Sequence, residues 1–320
     1  MALLEVRDLR TWFRMPGGIS KAVDGVSFDL EKGKTTALVG ESGCGKTVVS
    51  YSIMGLVPEP NGYIAGGEIV YGGTDLVKLP FSRMKEIRGS KISMIFQEPS
   101  LALNPVFTVG NQLTEALTAH KAVDRKTATE KCVAMLKEVG IPAPELRFNE
   151  YPHQLSGGMK QRIMIAMALL SEPDILIADE PTTALDVTIQ AQILDLLLKV
   201  REKFGTAILL ITHDLAIVSE YADTVTVMYA GKIAEQGDVR TVLDKPSHPY
   251  TQGLLKSLPS THAPSERLYS ISGVVPDAME FPEGCRFRTR CPEAQDACAK
   301  EPELKRLDST GSLCACHVRE

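Results

Sequence analysis

The segment Gly40-Glu41-Ser42-Gly43-Cys44-Gly45-Lys46-Thr47 decides the predicted fold of this chain. It follows the apolar run Thr36–Val39, which predicts a short buried strand, and a helix is expected from Lys46. The pattern G-x-x-x-x-G-K-[ST] in this setting is typical of a loop whose backbone N–H groups surround phosphate oxygens. The residues expected to bind the phosphates are Gly40, Ser42, Gly43, Cys44, Gly45, Lys46 and Thr47.

Within this loop, Lys46 is expected to reach the β- and γ-phosphates of a nucleotide, and Thr47 to ligate Mg²⁺. Cys44 is interpreted as a small filler of the loop and not as a nucleophile.

A second element, Ile175–Glu180, consists of an apolar run that ends in two carboxylates. The run predicts a buried strand, and Asp179 at its end can hold Mg²⁺ through water. Glu180 follows directly and is placed to polarise a water molecule that attacks the nucleotide. Together with the upstream loop, this element indicates an ATPase.

Periodic segments predict the rest of the fold. Alternation in residues 22–30 places Val26, Phe28 and Leu30 on one face of a strand. The remaining predicted elements are strands at 3–13, within 67–76 and at Ala207–Thr212, helices at Thr108–His120, Asp124–Val139, Met159–Leu170 and Ile189–Phe204, and a hairpin of Val225–Met228 and Lys232–Glu235. Buried strands that alternate with helices indicate an α/β fold with a parallel sheet.

The segment Leu155-Ser156-Gly157-Gly158-Met159-Lys160-Gln161-Arg162 separates one class of ATPase from the others. A serine and two glycines before a helix form an anion site from a hydroxyl group, N–H groups and the helix dipole. With this segment, the chain resembles the ATP-binding cassette (ABC) family. The resemblance implies that Ser156, Gly157 and Gly158 bind the γ-phosphate of an ATP held by the opposite subunit of a head-to-tail pair.

The same resemblance assigns further residues. Gln97 matches the glutamine that senses Mg²⁺ and water, and it is expected to be a magnesium ligand together with Thr47. Thr183–Asp186 matches the family's D-loop, and His213 matches the histidine that contacts the γ-phosphate. Phe13 is the best match to the aromatic residue that stacks on adenine, with the adjacent Trp12 as its competitor.

The expected architecture is a P-loop NTPase of the ABC type with an antiparallel β subdomain. Residues 1–240 form the predicted ATP-binding domain, and residues 97–165 an α-helical subdomain inserted in it. Residues 241–320 form a small Cys-rich C-terminal extension. Pro246–Thr251, Asn104-Pro105 and Gly284–Pro292 resemble segments of the importers of dipeptides, oligopeptides and nickel. The likeness is greatest to the first ATPase subunit of the peptide importers.

Five of the seven cysteines lie between residues 285 and 316. Their spacing lacks the paired C-x2-C of zinc ribbons, and four thiolates on an irregular segment suit a [4Fe–4S] cluster, as the resemblance also implies. The predicted ligands are Cys285, Cys291, Cys298 and Cys316, with Cys314 as a substitute for Cys316. Zinc and unligated thiols remain the alternatives.

Composition and charge limit the class of protein. The net charge is −5, and no basic run suggests nucleic-acid binding. The longest apolar stretch, Ile163–Leu170, is too short to span a bilayer, and the N-terminus lacks a signal pattern. The chain is therefore expected at the cytoplasmic face of a bacterial inner membrane, bound there through partners.

The leading hypothesis is an ATP-hydrolysing subunit, with ATP and Mg²⁺, that powers import of dipeptides or oligopeptides. Expected partners are a second ATPase subunit (a paralogue more than a second copy), two transmembrane permease subunits and, indirectly, an extracytoplasmic solute-binding protein. Nickel chelates, opines and oligosaccharides are alternative solutes. A non-transport ABC ATPase of nucleic acid or ribosomes, and an exporter cassette, are the alternatives from other classes.

Overall fold

The computed structural model describes residues 2–183, 185–258 and 269–319. Ala184 of the predicted D-loop and residues 259–268 of the predicted extension lie outside this description. Two compact units are present, each built from separate stretches of the chain. The first unit lies within Met1–Glu31, Thr35–Lys78 and Leu210–Glu320, and the second within Lys32–Lys34 and Leu79–Leu209.

The strands are β1 (Ala2–Met15), β2 (Gly18–Glu31), β3 (Thr35–Val39), β4 (Gly62–Tyr71), β5 (Thr74–Asp75), β6 (Ile92–Ile95), β7 (Ile175–Asp179), β8 (Ala207–Thr212), β9 (Thr224–Tyr229), β10 (Lys232–Asp238), β11 (Lys305–Arg306) and β12 (Leu313–Cys314). The helices are α1 (Lys46–Met54), α2 (Phe81–Ile87), α3 (Pro99–Ala102), α4 (Val109–Thr118), α5 (Arg125–Glu138), α6 (Pro144–Phe148), α7 (Gly157–Leu169), α8 (Val187–Phe204), α9 (Leu215–Tyr221), α10 (Val239–Asp244) and α11 (Pro249–Lys256). None of these helices combines the length and the apolar character that a membrane span requires.

The first unit contains an antiparallel sheet in the strand order β2-β1-β4-β5. Val26, Phe28 and Leu30 of β2 are all buried, as their alternation predicted. Long strands with one apolar face must cover that face, and this sheet confirms the predicted antiparallel β subdomain.

The first unit also contains the pairing of β3 with β9, which is parallel. The next pairings, β9 with β10, β10 with β12 and β11 with β12, are antiparallel. The predicted hairpin around Ala230-Gly231 is therefore confirmed. The C-terminal residues extend this arrangement, because Cys314 of β12 lies opposite Glu235 of β10.

A single hydrophobic cluster joins the central strands to the C-terminal part of the chain. Val39 of β3 and Val227 of β9 pack in the same cluster as Tyr250 and Phe287. The rings of Tyr250 and Phe287 both contact Tyr229, with centroids 4.7 and 5.1 Å from its ring. The C-terminal residues thus share the core of the first unit, although their own segment has little regular structure.

The second unit contains the parallel pair β6–β7 and a set of packed helices. The predicted helices at 108–120 and 124–139 are confirmed as α4 and α5, and the side chains of Thr108 and Asp124 cap them. Helix α7 begins at Gly157, two residues before its predicted start, because the Ser156 side chain accepts a hydrogen bond from the N–H of Met159. The unit boundaries differ from the predicted domain boundary at residue 240, which stays a prediction.

A buried polar network ties α11 to β10. The carboxylate of Glu235, which is fully buried, accepts N–H hydrogen bonds from Ser247 at 2.8 Å and His248 at 3.0 Å. Nδ1 of His248 in turn accepts the N–H of Tyr250 at 3.0 Å and caps α11. Burial and the charge of Arg319 lower the pKa of His248 to about 4, so its imidazole is neutral in the folded protein.

This depressed pKa predicts acid sensitivity. Between its ordinary pKa of 6.5 and about 4, His248 binds a proton only in the unfolded chain, so the free energy of unfolding falls as the pH falls. Complete protonation of His248 would remove about 3 kcal/mol from the free energy of unfolding.

His248→Asn keeps a capping acceptor but does not titrate. In urea unfolding, this variant should lose less stability between pH 7 and pH 4 than the unchanged protein. Glu235, whose pKa burial raises, acts in the opposite direction in both proteins. Equal losses in the two proteins would refute the assignment.

Candidate functional site

The phosphate loop, Gly40–Thr47, lies in the first unit between β3 and α1. A Cβ atom on Gly40 would lie 2.2 Å from the carbonyl oxygen of Met228, and one on Gly45 would lie 2.3 Å from that of Ala22. Gly45 also has a positive φ of 105°. No other residue type fits these two positions without movement of the backbone, so the glycines set the shape of the loop.

The start of helix α1 has the features of an anion-binding site. Its N-cap residue, Gly45, supplies no side-chain acceptor for the first N–H groups of the helix. Nζ of Lys46 donates to the carbonyl oxygens of Gly40 at 2.8 Å and Glu41 at 3.1 Å, so the ammonium group lies across its own loop. Ser42 and Gly43 are exposed at the surface of the loop. Positive charge and N–H groups thus occupy one small loop, as expected for phosphate binding.

Cys44 is fully buried within the loop, and burial raises the pKa of its thiol. A protonated, buried thiol is a poor nucleophile. This agrees with its interpretation as a small filler.

The two candidate adenine-stacking residues lie next to each other on β1. Phe13 lies opposite Gly62 of β4, and its ring leaves no room there for a side chain. The indole of Trp12 has Nζ of Lys21 5.1 Å from its ring centroid and a buried N–H without an acceptor in the described residues. Phe13 stays the predicted stacking residue. His213 is exposed directly after β8.

The carboxylate pair lies in the second unit, at the end of β7. Asp179 is 2% exposed, and Glu180 follows with a positive φ of 45°. Oε2 of Glu180 accepts hydrogen bonds from Nε2 of Gln97 at 3.1 Å and Oγ1 of Thr183 at 2.9 Å. Two predicted site residues, Gln97 and Glu180, are therefore in direct contact. A strained backbone together with two donors fixes the direction in which this carboxylate points.

Thr183 and Gln161 add contacts that the sequence reasoning did not assign. The Thr183 hydroxyl of the predicted D-loop donates a hydrogen bond to the Glu180 carboxylate. Gln161, which is 2% exposed, donates to the carbonyl oxygen of Pro181 at 2.6 Å. Its position in the segment Leu155–Arg162 was the available signal, because a glutamine in a buried helical face needs a polar partner.

The serine and glycines of that segment lie at the start of α7. Ser156 and Gly157 are exposed, and a Cβ on Gly157 would meet no atom within 4 Å. Gly158 is partly buried, with Cγ2 of Ile189 3.2 Å from where its Cβ would lie. Open space at the N-terminus of a 13-residue helix suits the approach of an anion from outside the chain.

The predicted site residues fall into two sets. The phosphate loop, Phe13 and His213 belong to the first unit. Gln97, Asp179, Glu180 and the segment Leu155–Arg162 belong to the second.

The tail cysteines lie in the first unit, near one another. The N–H of Cys285 donates to the carbonyl oxygen of Cys298 at 3.0 Å. Burial raises the pKa values of the Cys285, Cys291 and Cys316 thiols, and neighbouring thiols raise them further. Cys314 is buried, with the pKa of its thiol raised by burial and by Glu235.

The predicted cluster is nevertheless not supported by the arrangement of these thiols. Among residues 2–183, 185–258 and 269–319, no three His, Cys, Asp or Glu side chains are grouped so that they could hold a metal ion. The cysteines lie close together in the sequence and in the structure. Their spacing does not determine the directions in which the thiol groups point.

Comparison with known families covers both ends of the chain. Residues 23–183 match the family described as ABC transporter. The chain belongs to the ABC transporter family. Residues 234–298 match a second description, the C-terminal region of oligopeptide and dipeptide transporters. This ABC protein therefore carries the type of C-terminal region that its Pro246–Thr251 segment predicted.

Curated relatives cover nearly the whole length of this ABC protein. The dipeptide transport ATP-binding protein DppD of Bacillus subtilis is 53% identical over 92% of this chain and 88% of its own. The DppD protein of Escherichia coli is 46% identical over 99% of this chain and 97% of its own. The oligopeptide transport ATP-binding protein OppD of Escherichia coli is 46% identical over 98% and 93%.

Solved structures confirm the ABC fold. A dimeric ATP-binding cassette in a post-hydrolysis state, bound to ADP and Pi, aligns with a TM-score of 0.67 and 26% identity, over 74% of this chain and 99% of that one. The protein cbiO1 of Clostridium perfringens, part of the ABC transporter complex cbiONQ, aligns with a TM-score of 0.65 and 28% identity, over 76% of this chain and 91% of that one.

The geometry around Glu180 predicts a separation of ATP binding from hydrolysis. Glu180→Gln keeps the shape of the side chain but removes the negative charge that is predicted to polarise water, so turnover should fall at least about 100-fold while ATP still binds. Lys46→Ala, in contrast, should weaken ATP binding itself. Phosphate release and binding of a fluorescent ATP derivative measure the two steps. Undiminished turnover of Glu180→Gln would remove Glu180 as the catalytic carboxylate.

Proposed function

We propose that this chain is the ATP-hydrolysing subunit of an importer for dipeptides or oligopeptides. The observation that carries the proposal is the phosphate loop, in which Lys46 and the uncapped start of α1 provide positive charge and N–H groups around an open surface. The match of residues 234–298 to the C-terminal region of peptide transporters, and the names of the curated relatives, support peptides over nickel chelates, opines or oligosaccharides.

In the proposed reaction, the loop amides and Lys46 bind the triphosphate, and His213 contacts the γ-phosphate. Mg²⁺, when bound, neutralises phosphate charge. Thr47 in the first unit, and Gln97 and Asp179 in the second, each offer an oxygen ligand of the kind that this ion prefers. Glu180, oriented by Gln97 and Thr183, polarises the attacking water.

The functional unit is proposed to be a pair of cassettes. Ser156, Gly157 and Gly158 would contact the γ-phosphate of an ATP bound to the neighbouring subunit, and the exposure of Ser156 and Gly157 supports this assignment. A solved relative in this fold is a dimer with ADP and Pi. A paralogue is the proposed partner.

A permease is proposed to bind the second unit, at the cytoplasmic face of the bacterial inner membrane. Pro105, Leu146 and Tyr151 line a groove there, and Val106 and Phe107, which follow Pro105 in the chain, are 70% and 48% exposed. Exposed apolar side chains beside a groove are typical of a surface that receives a partner helix. Two permease subunits and a solute-binding protein would complete the importer.

Docking at this groove can be tested with a charge. Phe107→Glu would place a carboxylate in an apolar contact, so ATP-dependent uptake of a labelled dipeptide by the reconstituted importer should fall at least about tenfold. ATP binding by the purified chain should remain unchanged. Phe81→Glu is the matched control, because Phe81 lies in the same unit and is 73% exposed but, unlike Phe107, is not close in the chain to a residue that lines the groove. Normal uptake with Phe107→Glu would exclude this surface as the docking site.

We further propose that Cys285, Cys291, Cys298 and Cys316 ligate a [4Fe–4S] cluster once the thiols have turned toward a common centre. Their proximity supports this, whereas the absence of a ready metal-holding group in the described residues opposes it. The cluster would act as a structural link in a segment with little regular structure.

Iron analysis tests this assignment. Protein purified without oxygen should contain about four iron atoms per chain and a broad absorption band near the visible region, both lost together in Cys291→Ser. Cys132→Ser, which changes a buried cysteine of the second unit, is the control and should keep the iron. Zinc without iron, or no metal, would refute the cluster.

A further inference from the structure

The C-terminal part of the chain reaches the phosphate loop directly. Glu41, the second residue of the loop, is bound by two residues that lie far from it in the sequence, Tyr250 and Arg290. Both lie in the predicted extension, beyond residues 23–183 that match the ABC transporter family. All three residues belong to the first unit.

Tyr250 holds the backbone of the loop. Its hydroxyl oxygen accepts the N–H of Glu41 at 2.9 Å, and its ring is fully buried against Tyr229 and Phe287. Because the ring is fixed by packing, the hydroxyl group is a rigid anchor. It holds the N–H of Glu41 at the start of the loop, next to Gly40, whose own position Met228 already restricts.

Arg290 holds the side chain of the same residue. Its guanidinium donates to the Glu41 carboxylate from Nη1 at 2.6 Å and from Nη2 at 3.0 Å. The Arg290 side chain is only 4% exposed, and its Nε donates to the carbonyl oxygen of Ser272 at 3.0 Å. A two-point contact from a buried, well-held arginine defines both the place and the orientation of the carboxylate.

Because Glu41 is negatively charged, its contact with Arg290 affects how the loop can bind phosphate. A carboxylate at the second position of a phosphate-binding loop repels the phosphates unless a nearby cation neutralises it. Of the Glu41 atoms, Lys46 contacts the backbone oxygen and not the carboxylate. Among the described residues, Arg290 is therefore the cation that pairs with the Glu41 carboxylate. Loss of Arg290 would leave an unpaired negative charge and a less restrained loop.

We infer that Arg290 and Tyr250 are positioning residues for nucleotide binding: they hold and neutralise Glu41 so that the loop Gly40–Thr47 is ready to receive phosphate. This inference rests on the proposed function of that loop. It gives the C-terminal region a role in ATP binding that is separate from any metal its cysteines hold.

Titration of purified full-length variants with Mg²⁺ and a fluorescent N-methylanthraniloyl derivative of ATP tests the inference. Arg290→Gln should raise the Kd about tenfold, through the unpaired charge and the looser loop. Arg288→Gln makes the same chemical change two residues earlier, where no hydrogen bond to Glu41 is present in the described residues, and should leave Kd within about twofold.

The double variant separates positioning from general stability. If Arg290 acts through the Glu41 charge, adding Glu41→Gln to Arg290→Gln should restore the Kd to within about threefold of the unchanged protein. A purely structural arginine would give no such rescue. A Kd for Arg290→Gln within twofold of the unchanged protein, or a double variant as weak as the single one, would overturn the inference.

If Arg290→Gln does not fold, as judged by circular dichroism, Tyr250→Phe decides. It removes only the hydroxyl group from a packed ring and should raise the Kd about threefold. An unchanged Kd would overturn the inference. Failure of the unchanged protein to bind the ATP derivative would instead refute the proposed function of the loop, and with it this inference.

Discussion

Two backbone carbonyl groups, of Ala22 and Met228, approach the phosphate loop so closely that Gly45 and Gly40 have no room for a side chain. One carbonyl belongs to β2 and the other to β9, so the antiparallel sheet and the hairpin of the first unit both define the loop. Lys46 and the start of α1 take their positions from it. The arrangement of strands around the loop, more than any single polar contact, prepares the site for an anion.

Local patterns were sufficient where the deciding contacts are local. The loop between β3 and α1, the apolar strand that ends at Asp179 and the predicted helices all follow from residues close together in sequence, and the structure contains each of them. Helix α7 begins two residues earlier than predicted because the Ser156 side chain caps it. The contact of Arg290 with Glu41 joins residues 249 positions apart, and no local period could indicate it. The orientations of the thiol groups of Cys285 and Cys298 could not be predicted either, because the spacing of cysteines in a sequence does not determine the directions of their side chains.

The C-terminal region is part of the first unit's core and not an appendage to it. Tyr250 and Phe287 pack against Tyr229, the last residue of β9, and β9 pairs with β3. The buried carboxylate of Glu235 in β10 accepts a hydrogen bond from the N–H of His248, which links α11 to this strand. Aromatic packing and satisfied buried polar groups explain how a segment with short strands and many prolines holds a defined position.

The left-handed backbone of Glu180 has a consequence for how this chain can change. A non-glycine residue in that conformation costs about 1 kcal/mol, and glycine would relieve it. A change of Glu180 to glycine would therefore exchange this backbone cost for the loss of the hydrogen bonds from Gln97 and Thr183. If Glu180 serves turnover as proposed, selection for turnover and not for stability would retain the charged residue.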